Sequence, residues 1–258
     1  MSESTEQQNS AALAAISAEV AATQPLIGAE EPTALLPSRY AANPGFLANL
    51  PPLLAAYASL RTVRGDGICF YRAALVALAL RVHAARALPP HLLPAIARAR
   101  AALVSSFHYS EFIDDFIDAL VAYLRGAAAG GAAEAAAIAP LQGGGADAVL
   151  YGLRLLAAAE LHGNAAAYSD FVSGAFEQSI AQFCADRVLP NNEEADHIQI
   201  LALARFLRVQ FVIVSLDAHA FHCDLLPDDA EVAAAGDEWL KLHLLLRPGH
   251  YDVLLPRE

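Results

Sequence analysis

Cysteine is scarce. Three residues, Cys69, Cys184 and Cys223, are spread over 258, and no two stand as Cys-x-x-Cys. A set that is odd and sparse excludes a disulfide framework and argues against a structural zinc site. Positive charge is also short: 16 Lys and Arg face 28 Asp and Glu, a net charge of −12. That balance excludes a nucleic-acid binder, which needs clustered cations to meet phosphates. It favours solubility and a basic or neutral partner. No apolar run reaches the about 18 residues of a membrane-spanning helix. The richest stretch, Arg72 to Leu88, is interrupted by Arg81, His83 and Arg86. The opening MSESTEQQNS has no basic n-region, so no secretory signal is read there. The expected location is the cytoplasm, with the nucleus open to it.

What is abundant is alanine, which lifts the apolar fraction to 56% and the mean hydropathy to +0.38 while adding little burial per residue. The length suits one domain with a modest tail. Residues 1–18 read as that tail, disordered or partly helical, because the first ten are polar without apolar period. Leu13, Ile16 and Val20 give the stretch Ala11 to Ala22 one apolar face. Pro25, Pro32 and Pro37 then interrupt regular structure. Helices are expected to Leu50 from Pro44, from Leu53 to Ser59 behind Pro51-Pro52, from Ile68 to about Leu88, from His91 to Ser105, and from Glu111 to Leu124. In the last of these, Phe112, Phe116 and Leu120 are the candidates for burial. Residues 126–146 form an Ala/Gly tract, expected as a flexible insertion. Further helices are expected from Ala148 to Leu161 behind an Asp147 cap, from Ser169 or Asp170 to about Asp186, and behind an Asn192 cap through Leu207.

The character changes after Arg208. Val209 to Leu216 (VQFVIVSL) is dense in β-branched and aromatic residues and reads as a buried strand. Ala220 to Leu226, Leu242 to Leu246 and His250 to Leu255 follow as strands, and Leu60 to Val63 is a brief one upstream. The layout is α+β, with a helical lobe packed on a small, mainly antiparallel sheet arranged as a meander.

Two places carry chemistry. Cys69 follows Gly65-Asp66-Gly67-Ile68 and opens a helix, where the helix dipole stabilises a thiolate and a glycine-flanked turn can aim N–H groups at an oxyanion. His250 opens a strand after Pro248-Gly249, and Asp252 lies two residues on, on the same strand face. A carboxylate so placed can hold an imidazole by one nitrogen and leave the other for a nucleophile. Other candidates are weaker. His222 and Cys223 alternate across a strand and do not converge on a metal. Cys184 reads as core, Asp114, Asp115 and Asp118 as a solvated helix face, and Trp239 as packing at a strand start.

The wording around these residues resembles a known family. Gly65-Asp66-Gly67-Ile68-Cys69-Phe70-Tyr71-Arg72-Ala73 resembles the nucleophile motif of ovarian-tumour (OTU) cysteine proteases, and its Phe-Tyr-Arg continuation resembles the otubain branch. Glu194-Ala195-Asp196-His197-Ile198-Gln199-Ile200 and Arg247-Pro248-Gly249-His250-Tyr251-Asp252-Val253-Leu254 resemble the other two otubain signatures, in the family's order. Tyr40-Ala41-Ala42-Asn43 and Tyr151-Gly152-Leu153-Arg154-Leu155-Leu156 are fainter landmarks. The resemblance runs from about Glu19 to Leu255 and implies a papain-like catalytic domain over residues 19–258. It implies a deubiquitinase that cuts the isopeptide bond after the C-terminal glycine of ubiquitin on lysine-linked chains, without metal or cofactor, as a monomer. Cys69 would be the nucleophile, His250 the general base and Asp252 its orienter. The backbone N–H groups of Asp66 and Cys69 would form the oxyanion hole, and Glu194 and His197 would touch ubiquitin. The alternative it implies is a module that sequesters ubiquitin or a ubiquitin-conjugating enzyme without cleavage. The sequence departs from the pattern at Ile68, where the family usually has an asparagine able to brace the turn, and in residues 126–146, which match poorly.

Overall fold

The computed structural model describes residues 20, 22–131, 133–191, 193–236 and 239–257. Among them, six strands form one sheet: β1 (Ile27–Pro32), β2 (Tyr57–Val63), β3 (Val209–Leu216), β4 (Phe221–Leu226), β5 (Leu240–Arg247) and β6 (His250–Pro256). The principal helices are α1 (Pro44–Ala56), α2 (Cys69–Ala85), α3 (Leu92–Ser105), α4 (Ile113–Ala129), α5 (Ala146–Gly163), α6 (Ala165–Phe176), α7 (His197–Leu207) and α8 (Asp229–Ala235).

The sheet order is β1-β2-β6-β5-β3-β4. Four of its five pairings are antiparallel, and β3 pairs β5 in parallel. The expected meander is therefore replaced by an interleaved order. The β5–β6 hairpin lies between β2, from the N-terminal third of the chain, and β3. The return from β4 through α8 places β5 parallel to β3. All but one of the β3 residues are buried, as a mostly apolar strand requires when both sheet faces are covered. On one face Leu36, Leu50 and Leu53 pack on Leu60, Val214, Leu245 and Leu254. On the other lies the larger core, organised around α2. Thirteen of the 17 residues of α2 are buried, so this helix is enclosed all round rather than amphipathic. Helices α4, α5 and α7 surround it, contributing Leu120, Leu124, Leu153, Leu156 and Leu203.

Several elements differ from the sequence reading. α1 runs unbroken through Pro51 and Pro52 to Ala56, where separate helices were expected, and Ser59 lies in β2. β1 was hidden by its flanking prolines. It is an edge strand, and Pro32 ends it, a position where proline costs no ladder hydrogen bond. α4 starts at Ile113, so Ile113, Ile117, Leu120 and Leu124 form its buried stripe. Phe112 falls outside that stripe and is 81% exposed. The expected flexible tract is folded. α4 extends through Ala129, a turn Ala135–Ile138 follows, and the Tyr123 hydroxyl donates to the Ala137 carbonyl at 2.8 Å. Leu141 and Ala146 are buried. α5 begins at Ala146 with Gly145 as its cap, so Asp147 sits in the first turn. The helix expected to Asp186 is α6, a break at Glu177, a one-turn helix Ile180–Phe183 and a π-turn Cys184–Val188. α7 begins at His197, and the expected Asn192 cap lies outside the described residues. So does nearly all of the expected helix from Ala11 to Ala22, with the tail before it.

Candidate active site

Two segments meet at one end of the sheet: the turn between β2 and α2, and the hairpin between β5 and β6. Gly67 takes φ +80°, the left-handed region that admits glycine without strain, and the chain swings directly into α2 with Cys69 as its first residue. Gly65 passes so near His250 that a Cβ there would stand 3.3 Å from Nδ1. The absence of a side chain lets the turn close against the imidazole.

The turn is held from beneath. Asp66 Oδ1 accepts the Ile68 N–H at 3.3 Å and the Arg72 guanidinium at 2.7 Å, and Arg72 also donates to the Arg64 carbonyl at 3.2 Å. Arg72 is buried one turn into α2. The brace that Ile68 cannot supply is thus provided by Asp66 and Arg72. Asp66 is exposed, so Arg72→Met strands no buried charge and is expected to cost about 2 kcal/mol, the worth of its hydrogen bonds to Asp66 and the Arg64 carbonyl. Urea denaturation checks this, and Arg72→Met as stable as wild type would show that the pair carries no such weight.

The structure brings Cys69, His250 and Asp252 together. His250 Nε2–H donates to Asp252 Oδ1 at 2.9 Å, and the ring also hydrogen-bonds Cys69. Burial opposes charge on His250, but the bonds to Asp252 and Cys69 and the negative charge there outweigh it and lift its pKa to about 9. Asp252 is completely buried. Burial would raise its pKa, yet His250, Arg247 and the Val63 N–H together hold it below the usual carboxylate value. The Val63 N–H donates to Oδ1 at 3.0 Å, and Arg247 donates to Oδ2.

Cys69 lies at the floor of a narrow cleft of about 180 Å³ walled by Gly67, Glu194, Leu246, Gly249 and Tyr251. Beside it opens a cavity of about 720 Å³ lined by Tyr40, Phe46, Gly65, Glu194, Arg247 and His250. Glu194 is exposed and borders both spaces. His197, also exposed, lines neither of them. The loop carrying Glu194 is anchored by buried Arg154, which donates to the carbonyls of Val188 at 2.8 Å and Glu193 at 2.7 Å and lies over the Tyr71 ring. Gln199 adds to this anchoring, accepting from the Tyr71 hydroxyl and donating to the Arg187 carbonyl.

The four residues Arg72, Arg154, Arg247 and Tyr40 were not read from the sequence as parts of the site. Their only signal was their place inside the motif-like segments, since a lone arginine does not show whether it is buried. The other candidates lie elsewhere. Cys184 is buried, and burial pushes its thiol up to about 12, which makes it inert at neutral pH. Cys223 is exposed on β4. Asp114 and Asp118 pair with Arg100 at 2.7 Å each. Trp239 immediately precedes β5. Among the described residues no group of three or more His, Cys, Asp and Glu side chains is arranged to hold a metal.

Comparison with known proteins is consistent along the chain. The family model described as Peptidase C65 Otubain matches residues 19–256. The chain is 29% identical over 242 residues to "Ubiquitin thioesterase otubain-like" of Caenorhabditis elegans, covering 91% of this chain and 82% of that one. It is 27% identical over 260 residues to "OVARIAN TUMOR DOMAIN-containing deubiquitinating enzyme 1" of Arabidopsis thaliana, covering 93% and 83%. The fold superposes on h/ceOTUB1 in its solved complex with ubiquitin aldehyde and UBCH5B~Ub with a TM-score of 0.84 and 27% identity, over 99% of both chains. Given a match from residue 19 to residue 256 and a shared α+β papain-like architecture, the chain belongs to the Peptidase C65 otubain family.

Proposed function

We propose that the chain is a cysteine-type deubiquitinase that hydrolyses the isopeptide bond after the C-terminal glycine of ubiquitin, with Cys69 as nucleophile, His250 as general base and acid, and Asp252 as orienter. One observation carries this reading: Cys69 opens α2 beside an imidazole that Asp252 holds by its other nitrogen. The cleft above Cys69 is narrow and has Gly67 and Gly249 in its walls, which suits an extended glycine tail with no side chains to accommodate.

In the reaction the Cys69 thiolate adds to the glycine carbonyl carbon. The carbonyl electrons move onto oxygen, and the N–H groups of Cys69 and Asp66 would stabilise that oxyanion. His250 gives its proton to the departing lysine amine as the C–N bond breaks and a thioester remains. Water, deprotonated by His250, then releases the carboxylate and the thiolate. No step calls for a metal or cofactor. Glu194, on the rim of the cleft, would contact ubiquitin. His197, further along the same segment, is a weaker contact on this geometry.

The histidine gives a pH signature. Its folded pKa lies above the unfolded value of about 6.5, so the protonated imidazole persists through neutral pH and is lost as pH rises through about 9. Hydrolysis of lysine-linked diubiquitin should therefore fall along a limb near pH 9. Absence of cleavage by folded protein between pH 6 and pH 9 would sink the enzymatic reading.

A second activity is favoured by the solved complexes, in which relatives of this fold are held with ubiquitin-charged UBCH5B or UBC13. The chain is proposed to dock a ubiquitin-charged conjugating enzyme as well. Binding of that thioester by Cys69→Ala, which cannot cleave, supports this role, and no binding by the folded variant removes it.

A further inference from the structure

The Asp252 carboxylate is enclosed on every side, with 0% exposure. Its two oxygens are used unequally. Oδ1 accepts from the Val63 N–H and His250 Nε2–H, whereas Oδ2 faces the Arg247 guanidinium. Arg247 donates from its other terminal nitrogen to the Tyr40 hydroxyl at 3.3 Å. The Tyr40 ring lies flat on Phe46, with centroids 4.7 Å apart and planes at 10°. Phe46 stands in the first turn of α1. An unbroken line of contacts thus leads from α1, through Phe46, Tyr40 and Arg247, to the carboxylate that holds His250.

The chemistry gives that line a purpose. His250 alternates between imidazolium and neutral imidazole during turnover. While it is neutral, a buried Asp252 anion would have lost its cationic partner, and a buried carboxylate without one takes up a proton. Arginine does not lose its charge at any working pH, so its pairing is independent of the state of His250. We propose that Arg247 is a positioning residue that holds Asp252 as an anion aimed at His250 throughout the catalytic cycle, with Tyr40 fixing the guanidinium in place. This role rests on the assignment of His250 as the base. The charged and titratable groups facing the pair are Arg247 from β5, Cys69 from α2, Tyr251 beside them on β6, Tyr40 ahead of α1, and Glu194 from the loop before α7. Of these, Arg247 is the one fixed cation against Oδ2.

The test compares wild type with Arg247→Gln, Arg247→Lys and Tyr40→Phe on a fluorogenic ubiquitin C-terminal amide, from pH 5 to pH 10, each variant first shown to be folded by urea denaturation. Loss of aim at a reacting imidazole costs about a hundredfold, so Arg247→Gln should lose that much kcat with KM within about twofold. Its acid limb should move to higher pH. Without the cation Asp252 is protonated at a higher pH than in wild type, and the ionised form is lost sooner as pH falls. Arg247→Lys, which keeps the charge but not the fork, should return the acid limb to its wild-type position and recover part of kcat. Tyr40→Phe should lower kcat a few-fold without moving the limb. If Arg247→Gln does not fold, Arg247→Lys and Tyr40→Phe carry the test, and wild-type kcat in both overturns the proposal. An unmoved limb in folded Arg247→Gln, or Arg247→Lys no better than Arg247→Gln, overturns it too. Failure of the underlying reading shows separately, as wild-type hydrolysis that survives His250→Ala.

Discussion

Cys69→Ala is expected to abolish isopeptide hydrolysis while the protein remains folded. Cys69 is the first residue of α2 and is 5% exposed, so the change removes one sulfur atom from the helix start and leaves the helix itself intact. Small losses of buried volume cost on the order of 1 kcal/mol, well below the cost of emptying a leucine site. Loss of the nucleophile is another matter, because the remaining hydrogen bonds have no covalent step to stabilise. Removal of a nucleophile from a comparable triad costs on the order of a millionfold in kcat. Cleavage of diubiquitin followed by gel, with thermal unfolding in parallel, separates the two effects. A folded variant that still cleaves at a tenth of the wild-type rate would move the nucleophile elsewhere, and neither of the other cysteines lies beside His250.

Asp252→Asn has the second largest expected effect. The amide is nearly the size of the carboxylate and can still accept the Val63 N–H and sit in the same enclosure. It cannot pair with Arg247, and it carries no charge to favour imidazolium. His250 Nε2 would also face either an N–H or a weaker acceptor, which favours the wrong tautomer. The comparable change in a serine protease costs about ten-thousandfold in kcat, and here the loss is expected between about a hundredfold and that value. Folding should suffer as well, because the substitution leaves Arg247 without its anion. The loss of kcat should greatly exceed what unfolding explains at a temperature where the variant is more than nine-tenths folded by circular dichroism. If activity merely tracks the folded fraction, Asp252 is a structural anion and not the orienter.

The local parts of this architecture were legible in the sequence to different degrees. The span Val209–Leu216 is recovered residue for residue as β3, because a run of β-branched residues buried on both faces has no competing period. The start of α2 and the pair on β6 were legible because glycine and proline punctuate them. What the sequence does not display is pairing across long separations. The neighbours of β6 are its hairpin partner β5 and the distant β2, where Ser59 pairs with Leu255 and Tyr57 with Pro256, and strand order follows from such contacts alone. Nor does it display which arginines are buried. Arg72 and Arg154 sit among leucines and alanines in α2 and α5, where helical period predicts a core face that a charge would spoil. The structure resolves the conflict by supplying Asp66 to one and two backbone carbonyls to the other. Phe112 failed in the opposite sense. α4 starts two residues later than expected, at Ile113, its buried stripe runs through Ile113, Ile117, Leu120 and Leu124, and the phenylalanine is left outside.

The central claim is that Cys69 is an activated nucleophile at the end of a surface shaped for ubiquitin. Ubiquitin carrying a C-terminal electrophile tests both halves at once, with intact mass as the readout on wild type and Cys69→Ala. The account predicts one adduct of ubiquitin mass on wild type, mapped to Cys69, and none on the variant. No adduct on folded wild type, or an equal adduct on Cys69→Ala, would contradict it.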